Sequence, residues 1–316
     1  MRRLRGPDGL WEAAYARPHP GLRPGVLGYH GFRLALGAPR RRLEVPVGAV
    51  TLLLGFGGAL RIHGLTGPPR PPDRLVSVLT GLATRPVLGE HDGRLAGVEV
   101  LLAPWASFTL FGTDQHELAD RALDPDALGL RPTAGPWRRV GDLAAALGAL
   151  PDWGARFRLL DESLRPGTRA WPPSCPRTVR AWDALARAHG DVPVARLAAG
   201  VGRSTRQLEN RFREQIGVAP KAAARILRLQ RARRLLLAGR SQAETAALCG
   251  FYDQAHLSGE FRAMTGCTPG RYAAVSAAPL PPRDGPPSAD RLPGERTSLV
   301  LPEAADALFS KTVRRP

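Results

Sequence analysis

From residue 28 to about 112, apolar residues come in short runs broken by turns. Gly48–Phe56, Leu75–Leu79, Val98–Leu102 and Ser107–Phe111 are brief, rich in Val, Leu and Phe, and bounded by Gly, Pro or Asp. That pattern predicts strands. The proline-rich stretch Gly67–Asp73 cannot donate to a sheet ladder and is expected to be a loop. After Gly112 the period lengthens. His116–Leu130 and Trp137–Leu164 carry apolar residues at helical spacing. In the second stretch Val140, Leu143 and Leu147 share one helical face, Pro151 interrupts, and Trp153, Phe157 and Leu160 resume. This predicts two helices that pack on the sheet or on a second copy of the chain.

The pattern divides the chain into an irregular leader (1–24) and a β-rich effector or dimerisation domain with trailing helices (25–165). A proline-rich linker (166–176), a helical domain (177–274) and a disordered tail (275–316) follow, with a short helix over Ala304–Leu308. The predicted fold class is α+β, a β-rich N-terminal domain followed by an all-α C-terminal one.

Charge sharpens this division. The chain has 316 residues, 43% of them hydrophobic, with a formal net charge of +17. Only Lys221 and Lys311 are lysines; the remaining basic residues are arginine, whose fork suits phosphate oxygens. GC-biased composition also enriches arginine, so charge alone leaves nucleic acid and an anionic membrane surface both open. Residues 177–274 hold 17 basic and 7 acidic side chains, which concentrates the excess in the helical domain. No apolar run is long enough to span a bilayer. No apolar segment follows the basic N-terminus as an export signal would require, so a cytoplasmic location is expected. Cys175, Cys249 and Cys267 lack CxxC spacing and read as reduced thiols.

The helical domain contains a repeat. Ala198–Pro220 lies over Ala246–Pro269 at an offset of about 49 positions, allowing one residue of adjustment at the turn. Leu208 then matches Leu257, Phe212 matches Phe261, Arg213 matches Arg262, Gly217 matches Gly266 and Pro220 matches Pro269. Each copy reads as helix-turn-helix. Gly200 and Gly202 supply the first turn and Gly250 the second, while Ser204 and Asp253 are the N-caps of the helices that follow. Leu208 and Phe212, like Leu257 and Phe261, are spaced to face inward. Ser204, Thr205, Arg206, Glu209, Asn210 and Arg213 are left outside in the first copy. Gln254, Ala255, Ser258, Gly259 and Arg262 are left outside in the second, with His256 near the edge. Residues near the start of a recognition helix reach base edges in the major groove. Asn210 suits adenine, Glu209 can accept from cytosine or orient Arg206 or Arg213, and Arg206 suits a base or a phosphate.

Lys221–Gly239 joins the copies, with Ile226, Leu229 and Leu236 on one side and five arginines (225, 228, 231, 233, 234) crowding the rest. A helix of about 17 residues spans roughly 25 Å. Such a spacer could set two recognition helices in major grooves about 34 Å apart.

On these residues, Gly250–Tyr272 (GFYDQAHLSGEFRAMTGCTPGRY) and the preceding GRSTRQLENRFREQIGVAP, the region resembles the DNA-binding domain of the AraC/XylS family of bacterial transcription regulators. The resemblance covers about 100 residues. It implies a sequence-specific regulator whose two recognition helices enter adjacent major grooves of double-stranded DNA. Arg206, Glu209, Asn210, Gln254, Ala255, His256, Ser258 and Gly259 would occupy the base-contacting positions. Gly259 departs from the family, which often carries a long side chain there; glycine reads no base and weakens a helix by about 1 kcal/mol. The resemblance further implies a cupin-like sensor domain at the N-terminus. RNA polymerase, a small-molecule effector of unidentified chemistry and a second copy of the chain are partners it leaves open.

The N-terminal region carries no catalytic fingerprint of the hydrolase, P-loop, zincin or Rossmann type. His63, His91 and His116 are scattered rather than paired with a glutamate as a metal cupin requires, so no metal and no cofactor are expected. Two alternatives stay open. One is a constitutive DNA-binding protein whose N-terminal domain only dimerises. The other is an enzyme fused to a DNA-binding module, against which the lack of cysteine before position 175 argues.

Overall fold

The computed structural model describes residues 2–6, 9–64, 73–130, 136–165, 174–277 and 298–301. The N-terminal half is two antiparallel sheets and a layer of helices. The first sheet contains β1 (Arg2–Gly6), β2 (Gly9–Ala16), β3 (Val26–Leu36), β5 (Val50–Gly57), β8 (Val78–Thr80), β10 (Arg94–Leu102) and β11 (Ala122–Leu123). Its order is β1-β2-β3-β10-β5-β8-β11. The second contains β4 (Arg40–Glu44), β6 (Leu60–Gly64), β7 (Asp73–Leu75), β9 (Val87–His91) and β12 (Ser298–Leu301), in the order β12-β4-β9-β6-β7.

Strand alternation explains the layering. In β5, Val50, Leu52 and Leu54 join the core beneath the helices α2 (Val140–Ala149) and α3 (Trp153–Ser163). Thr51 and Leu53 point the other way, into a cavity between the sheets. The strand is therefore apolar on both faces, as a central layer should be. Asp152 caps α3 by accepting from the Ala155 N–H at 2.8 Å. Trp153 lies so close over Gly31 of β3 that a Cβ there would sit 2.4 Å from its ring.

The C-terminal domain is helical throughout. It comprises α4 (Pro176–Arg187), α5 (Val194–Gly200), α6 (Thr205–Ile216), α7 (Pro220–Leu237), α8 (Gln242–Leu248), α9 (Gln254–Thr265) and α10 (Pro269–Ala277). Ile226, Leu229 and Leu236 of α7 are buried. The apolar cluster around them takes in Trp182 of α4, Phe212 of α6 and Phe261 of α9. Leu43, Val45, Leu82 and Leu88 from the β-rich half belong to the same cluster, so the two halves share a core. Polar contacts reinforce the join: Gln215 of α6 accepts from the Cys175 N–H at 2.9 Å, and the Ser174 hydroxyl donates to the Trp105 carbonyl at 2.8 Å.

Several sequence expectations require correction. Residues 1–24 are not an irregular leader, since β1 and β2 form an edge hairpin of the first sheet. Its second strand escapes the pattern because Ala13, Ala14 and a buried Glu12 replace the usual branched apolar residues. Ser107–Phe111, expected as a strand, is the end of a helix, α1 (Pro104–Phe111). Proline at its first turn and Gly112 at φ 63° bound it, and its buried residues lie all round, so neither period shows. His116–Leu130 is not a helix. It holds a 3-10 turn at Gln115–Glu117, β11, and turns through Asp120 (φ 57°) and Gly129 (φ 67°). Leu75–Leu79 is not one strand; it bends at Val76–Ser77, where the Ser77 hydroxyl accepts from the Gly55 N–H at 3.2 Å. The tail is not wholly disordered, because α10 extends to Ala277 and β12 pairs with β4. Of the loop expected over Gly67–Asp73, Asp73 opens β7, and of the linker expected over 166–176, Pro176 opens α4; residues 67–72, 166–173 and the short helix over 304–308 lie outside the described residues.

A Gly31→Ala substitution is expected to lower stability by about 1–3 kcal/mol, because the added methyl must displace the Trp153 ring. Thermal unfolding followed by tryptophan fluorescence checks this.

Candidate nucleic-acid interface

The first helix-turn-helix unit is α5, a turn, and α6. Gly202, at φ 63°, makes the turn; Gly200 ends α5. Ser204 and Gln207 form a reciprocal cap: the Ser204 hydroxyl accepts from the Gln207 N–H at 3.3 Å, and the Gln207 side chain accepts from the Ser204 N–H at 3.1 Å. Leu208, Phe212 and Ile216 turn inward and are fully buried. The opposite face then presents Ser204, Thr205, Arg206, Asn210 and Arg213 to solvent, with Glu209 half-buried. Arg211 is exposed too, but is held by Glu214 at 2.7 Å.

The second unit is α8, a turn, and α9. Ser241 and Glu244 cap α8 reciprocally, Gly250 turns at φ 69°, and Asp253 accepts from the His256 N–H at 2.7 Å. Leu257 and Phe261 face the core. Gln254, Ala255, His256, Gly259 and Arg262 are exposed, and Ser258 is half-buried. No atom lies within 4 Å of where a Gly259 Cβ would stand, so that part of the face is bare.

His256 is held in one orientation. Its Nδ1 accepts from the Tyr252 N–H at 3.2 Å, and its ring meets Phe251 edge-on at 5.4 Å. A backbone N–H can only donate, so the neutral ring carries its proton on Nε2 and offers a donor. Tyr252 itself is 92% exposed. The sequence reading omitted it. The signal for it was positional: Tyr252 precedes its N-cap as Arg203 precedes Ser204.

Both recognition helices, α6 and α9, pack on α7. The arginines of α7 do more inside the domain than the sequence suggested. Arg233 is buried and donates to the Tyr272 hydroxyl at 2.9 Å, fixing α10. Arg225 grips Glu260 of α9 through two bonds, at 2.6 and 3.3 Å. Arg228 lies over the Phe251 ring at 5.5 Å, and Arg234 approaches His189 at 3.3 Å. Cys249 is buried, and that burial pushes its thiol pKa up.

The scattered histidines occupy three different environments. His116 is exposed, 4.0 Å from Asp114, and His63 lies 3.5 Å from Glu90. His91 is buried and accepts from the Gly93 N–H at 3.1 Å. Among the described residues, no group of three or more His, Cys, Asp or Glu side chains is placed to hold a metal. His30, which the sequence reading did not single out, lies buried 3.0 Å from Glu99 and stacks on Tyr15.

Residues 197–274 match the family model of a helix-turn-helix domain. The chain is similar to a transcriptional regulator of the AraC-type DNA-binding-domain proteins from Chromobacterium violaceum. Identity is 31% over 33% of this chain and 95% of that one, with a TM-score of 0.31. The chain belongs to the AraC-type family. The DNA-binding domain of AdpA, solved in complex with a target DNA, is also similar to this AraC-type chain. Its identity is 31%, over 32% of this chain and 92% of that one, with a TM-score of 0.30. ToxT from Vibrio cholerae aligns over 84% of this chain and 98% of its own, at 8% identity and a TM-score of 0.42. No curated protein matches the AraC-type chain. Among the described residues no helix is long and apolar enough to cross a membrane.

Asp253→Ala is expected to cost about 1 kcal/mol by uncapping α9, read as a lower melting temperature. Burial first, then the charges of Arg42 and Arg40, lower the His91 pKa from 6.5 to about 4. As pH falls, the unfolded chain therefore takes up this proton before the folded one does. The His91 contribution is complete above pH 6.5 and declines between 6.5 and about 4. His91→Gln should flatten the pH dependence of the melting temperature across that window.

Proposed function

We propose that this AraC-type regulator binds a specific double-stranded DNA site through α6 and α9. The exposed faces of both helices carry the reading residues: Arg206, Glu209 and Asn210 in the first unit, Gln254 and His256 in the second. Ser204, Thr205, Arg213 and Arg262 contact phosphates or flank the bases. Ala255, Ser258 and Gly259 form the small-residue part of the second face. The observation that carries this reading is that these side chains, exposed except for half-buried Glu209 and Ser258, lie on the outer faces of two capped helices whose other faces are core. Tyr252 belongs with the second unit as a phosphate donor, because a tyrosine 92% exposed at the mouth of that helix has no packing role. The first unit supplies most of the base discrimination. Its side chains are long and polar, whereas Gly259 leaves the second face bare.

The β-rich half is proposed to bind a small apolar effector. Support comes from the cavity of about 80 Å³ between the two sheets. Leu53, Leu60, Ile62, Val78 and Val87 give it apolar walls, and Thr51 and Thr80 can orient a polar group. DNA and effector are then linked: an effector changes DNA affinity only as far as it binds the two states unequally.

The test is binding of the intact protein to DNA upstream of its own gene across a salt series, with scrambled DNA as control. Site-preferring affinity that falls steeply with salt is expected. Equal, weak binding to both DNAs would overturn the reading. Arg206→Ala should weaken binding to the preferred site by about 1–3 kcal/mol and relax base preference there.

A further inference from the structure

Strands β4 and β9 form a wall one residue thick between the cavity and the DNA-binding domain. Alternation puts neighbouring residues on opposite sides of it. Glu44, Val87 and Gly89 line the cavity. Leu43 and Leu88, paired across the two strands, enter the core that contains Trp182 and Leu227. In the chain leaving β4, Val45 touches both the cavity and that core. Val47 and Ala49 line the cavity, while between them the Gly48 N–H donates to the Gln230 side chain of α7 at 3.1 Å. The contact is close: a Cβ on Gly48 would lie 2.9 Å from Leu227.

We infer that this wall makes the position of α7 depend on what fills the cavity, with Gly48 and Gln230 as its positioning residues. Because α7 carries both α6 and α9, a shift of the wall alters the relation of the two recognition helices to each other. A packed interior transmits displacement rather than absorbing it. The first helix is held a second time: a Cβ on Gly217, which ends α6, would stand 2.9 Å from the Gln115 carbonyl. Movement at Gly48 therefore bends the spacer between one anchored unit and one freer unit.

The inference rests on the effector reading for its physiological trigger, but not for its test. Val78→Phe fills the cavity from the β8 wall, and Ile62→Phe fills it from β6. Affinity is measured for a duplex enriched from a random pool by the intact wild-type protein, and amide exchange is followed over residues 220–237. Val78→Phe or Ile62→Phe should change Kd at least fivefold and alter exchange in α7. In a Gln230→Ala background the same substitution should change Kd less than twofold. Gln230→Glu, which keeps an acceptor for the Gly48 N–H, should restore the full change. Gly48→Ala, which pries the loop from Leu227, should itself shift Kd at least fivefold. Cavity-filling effects of equal size in both Gln230 backgrounds would overturn the inference. So would a cooperatively melting Gly48→Ala protein with wild-type Kd and exchange. Benzene serves as a separate probe of the cavity and should raise the melting temperature of wild type but not of Val78→Phe. Benzene without effect, alongside intact Gln230-dependent coupling, would sink the effector reading and leave the wall standing. Benzene that stabilises the protein while Kd and α7 exchange stay unchanged would do the reverse.

Discussion

The burial of α7 is the constraint on which the rest of the molecule depends. Its apolar residues reach in several directions at once. Phe212 and Phe261 of the two recognition helices, Trp182 of α4 and four residues of the β-rich half all join its cluster. A helix with so many partners cannot be amphipathic in the ordinary sense. Its polar residues are drawn inside as well, and buried Arg233 is received by the Tyr272 hydroxyl and ring. Removing one member of such a pair is costly, since the other is left desolvated. This explains how a chain so rich in arginine can spend several of them on its own architecture.

The DNA-facing half was legible because its rules are local. Glycine at a turn, serine or aspartate at an N-cap and an i,i+4 apolar pair each act within four residues, and each appears twice. The structure places Ser204, Asp253, Leu208, Phe212, Leu257 and Phe261 in those local positions. The β-rich half was less legible because its decisive contacts are distant. Glu12 is buried between Trp11 and Ala13 in β2, which no local pattern anticipates. Helix α1 is covered on several sides, so its periodicity vanished. Residues 115–130 keep apolar side chains such as Leu118 and Leu130 in the core, but from turns rather than from a helix. The cavity and its dividing wall exist only once β4 and β9 have met, and nothing in either segment announces the other.

The two recognition faces are unequal, and the inequality has a physical logic. The first helix is capped reciprocally, carries long polar side chains and is braced at its end by the β-rich half. The second offers a fixed imidazole donor, a glutamine and an exposed tyrosine around a bare centre. On the proposed reading, a braced reader beside a smoother one lets the regulator hold one half-site firmly while tolerating variation in the other.

Strand β12 adds a constraint of a different kind. It completes the edge of the second sheet by pairing Ser298–Leu301 with Arg41–Glu44. Those partners are separated by more than two hundred residues of chain, so during synthesis β4 emerges long before the segment that covers it. Until then the edge is an open template, able to pair with another chain. The N-terminal sheet is thus finished only after the DNA-binding domain has been made. A nascent copy that has not yet reached residues 298–301 would present to its neighbours the β4 edge that β12 occupies here.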